Sequence, residues 1–155
     1  MEHTLAQWLL DDDDVEAARE RAEAALAEAQ TQGNIVLEPY LHSVMGGCAA
    51  RESRPDMALD HFKTGMTLAL DGKDNRALCY LLSRQAALEA NLGNDDEAVK
   101  LFKEAAVLAK AKKFAIAQKS IALELANLFE RMGKYKQSVD QHKLAWRLQN
   151  ESRMR

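Results

Sequence analysis

The side chains able to do chemistry are few in this chain, and their spacing does not suit catalysis. The histidines are His3, His42, His61 and His142. None sits in an HExxH pair, which would put two imidazoles on one helical face for zinc. Cys48 and Cys79 lack the Cys-x-x-Cys spacing of a metal or redox site. No Gly-rich phosphate loop and no nucleophile elbow occurs, so the residues point away from an enzyme and no cofactor is expected. His42 and His61 are spaced to meet across a helical hairpin, although the ordinary role of helix histidines is packing or surface. The run Asp11 to Asp14 has no turn Gly and no alternating oxygen ligands, so it is not a calcium loop. It is expected to cap the following helix and favour its first turn. Lys110, Lys112 and Lys113 form a short basic spot without a recognition motif. With 24 acidic and 21 basic residues, net charge -3, no nucleic-acid partner is expected.

The elements that carry these residues are helical. Of the 155 residues only two are Pro, and Ala, Leu, Glu, Lys and Arg abound. Strand patterns are absent. The cysteines are too few for a disulfide scaffold and lie in apolar helical runs, where they act as reduced, small hydrophobes. Acidic residues stand where a signal peptide would be positive, and no apolar run approaches the length of a membrane span. A cytoplasmic protein without membrane insertion is expected.

Taken in order, Met1 to Leu10 holds Leu5, Trp8 and Leu9 on a helical spacing. Val15 to Gln30 is a strong helix that ends at Gly33-Asn34. Ile35 to about Glu52 follows, with Gly46-Gly47 weakening its middle. Ser53-Arg54-Pro55-Asp56 turns into an arm carrying Met57, Phe62, Met66 and Leu70, which stops at Asp71-Gly72-Lys73-Asp74. A third hairpin comprises Asn75 to Leu92 and Asp95 to about Lys110, turned at Gly93-Asn94. The fourth comprises Phe114 to Met132 and Tyr135 to Gln149, turned at Gly133. Residues 109–113 contain no breaker, which leaves open a fused helix or a joint held by packing alone. The tail Asn150 to Arg155 is expected to fray.

Sliding the chain by 40 residues aligns small residues in columns. One is Ala6, Gly46, Ala86 and Ala126; a second is Ala18, Ala58, Ala98 and Ser138; a third is Ala25, Gly65, Ala105 and Ala145. Close helix crossings need small side chains at the contact, so the columns mark nested hairpins. Bulky columns lie between them, such as Phe62 with Phe102. The predicted fold is all-α, an αα-hairpin repeat of about seven or eight helices in one domain over 1–155. Its units are approximately 1–32, 33–72, 73–112 and 113–150.

The set Ala86, Gly93, Ala98, Phe102 and Ala105, echoed by Ala126, Gly133, Tyr135, Ser138 and Ala145, resembles the tetratricopeptide repeat. The 40-residue period exceeds the usual 34 and is similar to the extended repeats of kinesin light chains, polarity adaptors and bacterial regulators. The resemblance implies a right-handed superhelical solenoid whose concave groove is lined by the first arm of each hairpin. Carried onto this register, it places Tyr40, Ser43, Gly47 and Arg51 there from the second unit. Tyr80, Ser83, Arg84, Ala87 and Asn91 come from the third, and Asn127 and Arg131 from the fourth. Tyr offers amphipathic area, Asn pairs with backbone amides, and Arg grips carboxylates through a bidentate fork. The Lys and Asn residues of the carboxylate-clamp subset are replaced by Ser43, Gly47 and Arg84, which argues against a standard chaperone-tail adaptor.

The function expected on this basis is protein–protein interaction, with a peptide or partner protein held in the groove, and the arginines there suggest an acidic segment or a chain terminus. The alternative is self-assembly into a homo-oligomer through terminal hairpins, with Trp8 and Trp146 near opposite ends. The plainer expectation for Trp146 is buried packing.

Overall fold

Positive backbone φ angles punctuate the chain at a constant interval of 20 residues: Asp13, Gly33, Ser53, Lys73, Gly93, Lys113 and Gly133. A computed structural model describes residues 11–154, and these left-handed residues delimit its helices. The helices are α1 (Val15–Gln32), α2 (Glu38–Arg51), α3 (Pro55–Asp71), α4 (Asn75–Asn91), α5 (Asp95–Ala111), α6 (Ala115–Arg131) and α7 (Tyr135–Arg153). From Gly33 onward each left-handed residue donates its amide to the carbonyl three residues back. The next amide donates to the carbonyl five back, as in Asn34 to Ala29 at 2.8 Å and Phe114 to Ala109 at 2.9 Å. This double bond closes the orphan carbonyls of each helix end.

That device settles the joint at 109–113. Lys113 takes φ 58° and ends α5 without any glycine. The arm before α4 stops at Asp71 as expected; in its turn Gly72 stays right-handed at φ -80° and Lys73 makes the left-handed bend. Helix starts vary more. Asp14 accepts from the Ala17 amide at 3.3 Å and Asp74 from Ala77 at 3.0 Å, so the acidic run does cap α1. Two boundaries differ from expectation. Ile35 to Leu37 form a turn before α2 opens at Glu38 with Pro39 in its first turn, and α7 continues to Arg153 where fraying was expected.

The chain forms two compact units, Met1–Arg84 and Gln85–Arg155, with the boundary inside α4. In the first, α2 packs on both α1 and α3. Ala18 and Ala22 meet Val44 and Cys48, while Ala25 and Ala29 meet Leu41. A Cβ on Gly46 would lie 2.4 Å from the Phe62 ring, so the missing side chain is what admits that ring. Likewise a Cβ on Gly65 would lie 2.9 Å from Leu81 and 3.2 Å from the His42 Cβ. In the second unit, α6 packs on α5 and α7. Phe102, Ile121, Leu125 and Phe129 are buried there, and Ser138 Oγ donates to the Ala126 carbonyl at 2.9 Å.

The small-residue columns lie at these contacts. Ala18, Ala58 and Ala98 are 0% exposed and Ser138 is 4%. Gly65, Ala105 and Ala145 are buried, as are Gly46, Ala86 and Ala126, while Ala6 lies outside the described residues. The expectations for Leu5, Trp8 and Leu9 also lie outside them. Among the described residues no helix is long and apolar enough to cross a membrane.

Candidate interaction site

In the first unit, α2 and α4 carry the residues whose chemistry suits recognition. Tyr40 is half-buried, and its hydroxyl donates to Asp74 Oδ1 at 3.3 Å. Burial, then the Asp74 charge and that hydrogen bond, push the Tyr40 pKa up to about 12, against the opposing Arg76. Asp74 is thus tied to both Tyr40 and the start of α4.

Further along α4, Arg84 donates to the Oη of Tyr80, one helical turn before it, at 2.6 Å, and its guanidinium carbon stands 5.0 Å from that ring's centroid. Two further arginines are neighbours in an electrostatic sense. Arg19, Arg51 and Arg84, on three different helices, all lower the Cys48 pKa, although burial and then Glu52 drive it up to about 11. The three differ in what they hold. Arg19 pairs with Glu52 at 2.8 Å and Arg51 with Asp13 at 2.9 Å. Arg84 instead bonds a neutral hydroxyl. A half-buried guanidinium with a neutral partner keeps its capacity for an incoming carboxylate.

Ser43 departs from the expected surface role. It is 0% exposed and its hydroxyl has no hydrogen-bond partner, so it offers nothing to a partner. Gly47 is buried beside it in α2, and Ser83 Oγ is turned inward to the Cys79 carbonyl at 3.0 Å.

His42 and His61 do meet across the α2–α3 hairpin, Nδ1 to Nδ1 at 3.2 Å with ring centroids 5.4 Å apart. One ring must donate and the other accept. Burial lowers the pKa of both; His61 opposes His42's charge further, whereas Asp60 and Glu23 partly restore that of His61. Among the described residues no group of three or more His, Cys, Asp or Glu is placed to hold a metal.

In the second unit the expected residues are Asn91, Asn127 and Arg131, all exposed. Arg131 is occupied: it donates to the Ala90 carbonyl at 2.9 Å and pairs with Asp95. It fastens α6 to the end of α4 and the start of α5. A neighbouring lock, Asn94 Nδ2 to Glu89 Oε2 at 2.7 Å, holds the largely buried Glu89. Trp146 is 71% exposed, contrary to the expected buried packing, because no helix follows α7 among the described residues to cover it. Sequence inspection did not find Arg19, Glu52 or Asp74. Their partners lie 33 or 34 positions away, and no local pattern announces such a pair.

No family model and no curated protein matches this chain. Among solved structures it superposes on a Rap protein complexed with competence and sporulation factor, with a TM-score of 0.90 at 16% identity. The match covers 97% of this chain and 42% of that one, so the chain spans well under half of that protein's length. Pseudomonas aeruginosa pilF overlaps more loosely, at TM-score 0.39 and 13% identity over 94% of this chain and 74% of that one. The Rap superposition shows that the chain has an all-α helical-repeat fold of the tetratricopeptide type.

Proposed function

We propose that this chain is a protein-interaction module that binds a carboxylate-bearing peptide, an acidic segment or a chain terminus, through Arg84 and Tyr80. The observation that carries the reading is the contrast among the three arginines around Cys48. Arg19 and Arg51 hold carboxylates of this chain, and Arg84 holds a neutral phenol. Hydrogen bonds to charged groups are worth about 1.5–3 kcal/mol, so an incoming carboxylate gains at Arg84, which pairs with no carboxylate among the described residues. Tyr80 adds amphipathic contact area beside the cation. The fold agrees with this role, since a protein of the same architecture is complexed with competence and sporulation factor. A binding role without catalysis fits the scarcity of reactive side chains, and the two buried free thiols suit the cytoplasm.

Selection from a displayed library of random peptides tests the proposal. Wild type should enrich peptides that share Asp, Glu or a free carboxyl end. Arg84→Ala should weaken their binding by about tenfold or more, the size of one charge-assisted bond. Arg131→Ala should leave the same peptides bound. The reading fails if a folded Arg84→Ala protein retains them at full affinity, or if wild type selects none.

A further inference from the structure

Gly65 lets α2 and α3 approach closely in the first unit. A Cβ at that position would lie 3.2 Å from the His42 Cβ, and its absence leaves room for the crossing. His61 stands one helical turn before Gly65 on the same side of α3, so its ring meets that of His42. His42 is 9% exposed and His61 is half-buried. The pair therefore has an enclosed inner ring and an outer ring that solvent reaches.

The two Nδ1 atoms are 3.2 Å apart and the ring centroids 5.4 Å. Those dimensions suit a two-imidazole chelate as well as a shared hydrogen. Zinc takes imidazole nitrogen at about 2.0–2.1 Å in tetrahedral geometry, which sets two such nitrogens about 3.3–3.4 Å apart and their ring centroids about 5.2 Å apart. Each distance has to change by only about 0.2 Å to admit the ion. A change of tautomer frees the second lone pair. The donor ring carries its hydrogen on Nε2 instead of Nδ1, so both Nδ1 atoms face the cation and neither ring changes charge. Burial lowers the pKa of both rings, which keeps them neutral as ligands. Glu23 from α1 and Asp60 from α3 act on His61 as negative charges, and they favour a cation beside it.

We infer that His42 and His61 form a two-imidazole site for a divalent cation of the zinc class, which clips α2 to α3. Imidazole nitrogen selects zinc, copper and nickel over magnesium and calcium, which prefer oxygen ligands. Among the described residues no third His, Cys, Asp or Glu completes the set, so water fills the remaining positions. The site is an open chelate, weaker than a closed structural zinc centre. Because the bound ion spans two helices of one unit, it stabilises the folded hairpin over the unfolded chain. Neither histidine takes part in the Arg84 reading, so the two proposals stand or fall separately.

Calorimetric titration of the full chain with zinc near neutral pH, together with thermal unfolding, tests this. Zinc should bind and raise the unfolding midpoint, and magnesium at the same concentration should do neither. His61→Gln should weaken zinc binding by about tenfold or more, at least what loss of a supporting outer-shell group costs a metal site. His42→Gln should do the same from the other side of the pair, with circular dichroism confirming that each variant folds. His142→Gln, at an exposed position on α7, should leave binding unchanged. Absence of zinc uptake by the wild type overturns the inference. So does undiminished uptake by folded His61→Gln, which would put the ion on other groups such as Asp11 to Asp14. Equal uptake of magnesium, or a loss of zinc binding in His142→Gln, overturns it as well.

Discussion

Replacing Gly46 by Ala distinguishes packing from helix propensity in this fold. Gly46 lies inside α2, where alanine is ordinarily favoured by about 1 kcal/mol. Here the added methyl would stand 2.4, 2.7 and 3.0 Å from Cε1, Cδ1 and Cζ of Phe62. Favourable carbon contacts lie near 3.5–4.0 Å, so the ring has to retreat by about 1 Å. Phe62 is 1% exposed and has no open side to move into. Overpacking of this kind costs about 1–3 kcal/mol, and so large an overlap belongs near the upper end. Subtracting the propensity gain leaves a net loss of about 2 kcal/mol, measurable as a lower midpoint in urea denaturation. Phe62→Leu removes the atoms in conflict, so Gly46→Ala should cost less in that background, with a coupling of about 1–2 kcal/mol. A stabilising Gly46→Ala would refute the packing argument, as would an equal cost in both backgrounds.

Three other outcomes follow from particular contacts. Folding lowers the pKa of both His42 and His61 below 6.5, so on acidification the unfolded chain takes up protons first. The stability of the pair is complete above about pH 6.5 and falls as pH drops through that value; His61→Gln should flatten this slope in urea midpoints, and an unchanged slope would exclude the pair as its source. Lys113→Gly relieves a left-handed φ of 58° and should stabilise by up to about 1 kcal/mol; calorimetry showing a loss would mean that the Lys side chain contributes more than the backbone strain removes. Arg131→Ala severs a half-exposed ion pair and one bond to a helix-end carbonyl, so denaturation should show a loss of about 1 kcal/mol, without the wholesale unfolding that removal of a buried charge partner brings.

Which of these features could be read beforehand depends on their range along the chain. Gly33, Gly93 and Gly133 mark their turns in sequence because glycine enters the left-handed region at no steric cost. Ser53, Lys73 and Lys113 make the same turn with side chains that do not favour it. There the helix on either side dictates the bend, and a local reading finds nothing; Gly72 stands one position before the left-handed residue. The same division holds for the candidate site. Tyr80 and Arg84 are one helical turn apart on α4, so their meeting follows from spacing. The internal carboxylates that occupy Arg51 and Arg131, and the enclosure of Ser43, depend on how helices cross.

The sequence by itself determined the helices and the 40-residue register, because helix propensity and side-chain volume are properties of each residue and the small columns repeat them. It also determined that His42 and His61 could meet. Only the tertiary structure decided which arginines hold carboxylates of this chain, that Trp146 is exposed on α7, and that non-glycine residues make four of the seven left-handed bends. Those outcomes depend on groups brought together from distant positions. Packing against a neighbouring helix is what makes a left-handed lysine tolerable, a serine inaccessible or an arginine already occupied.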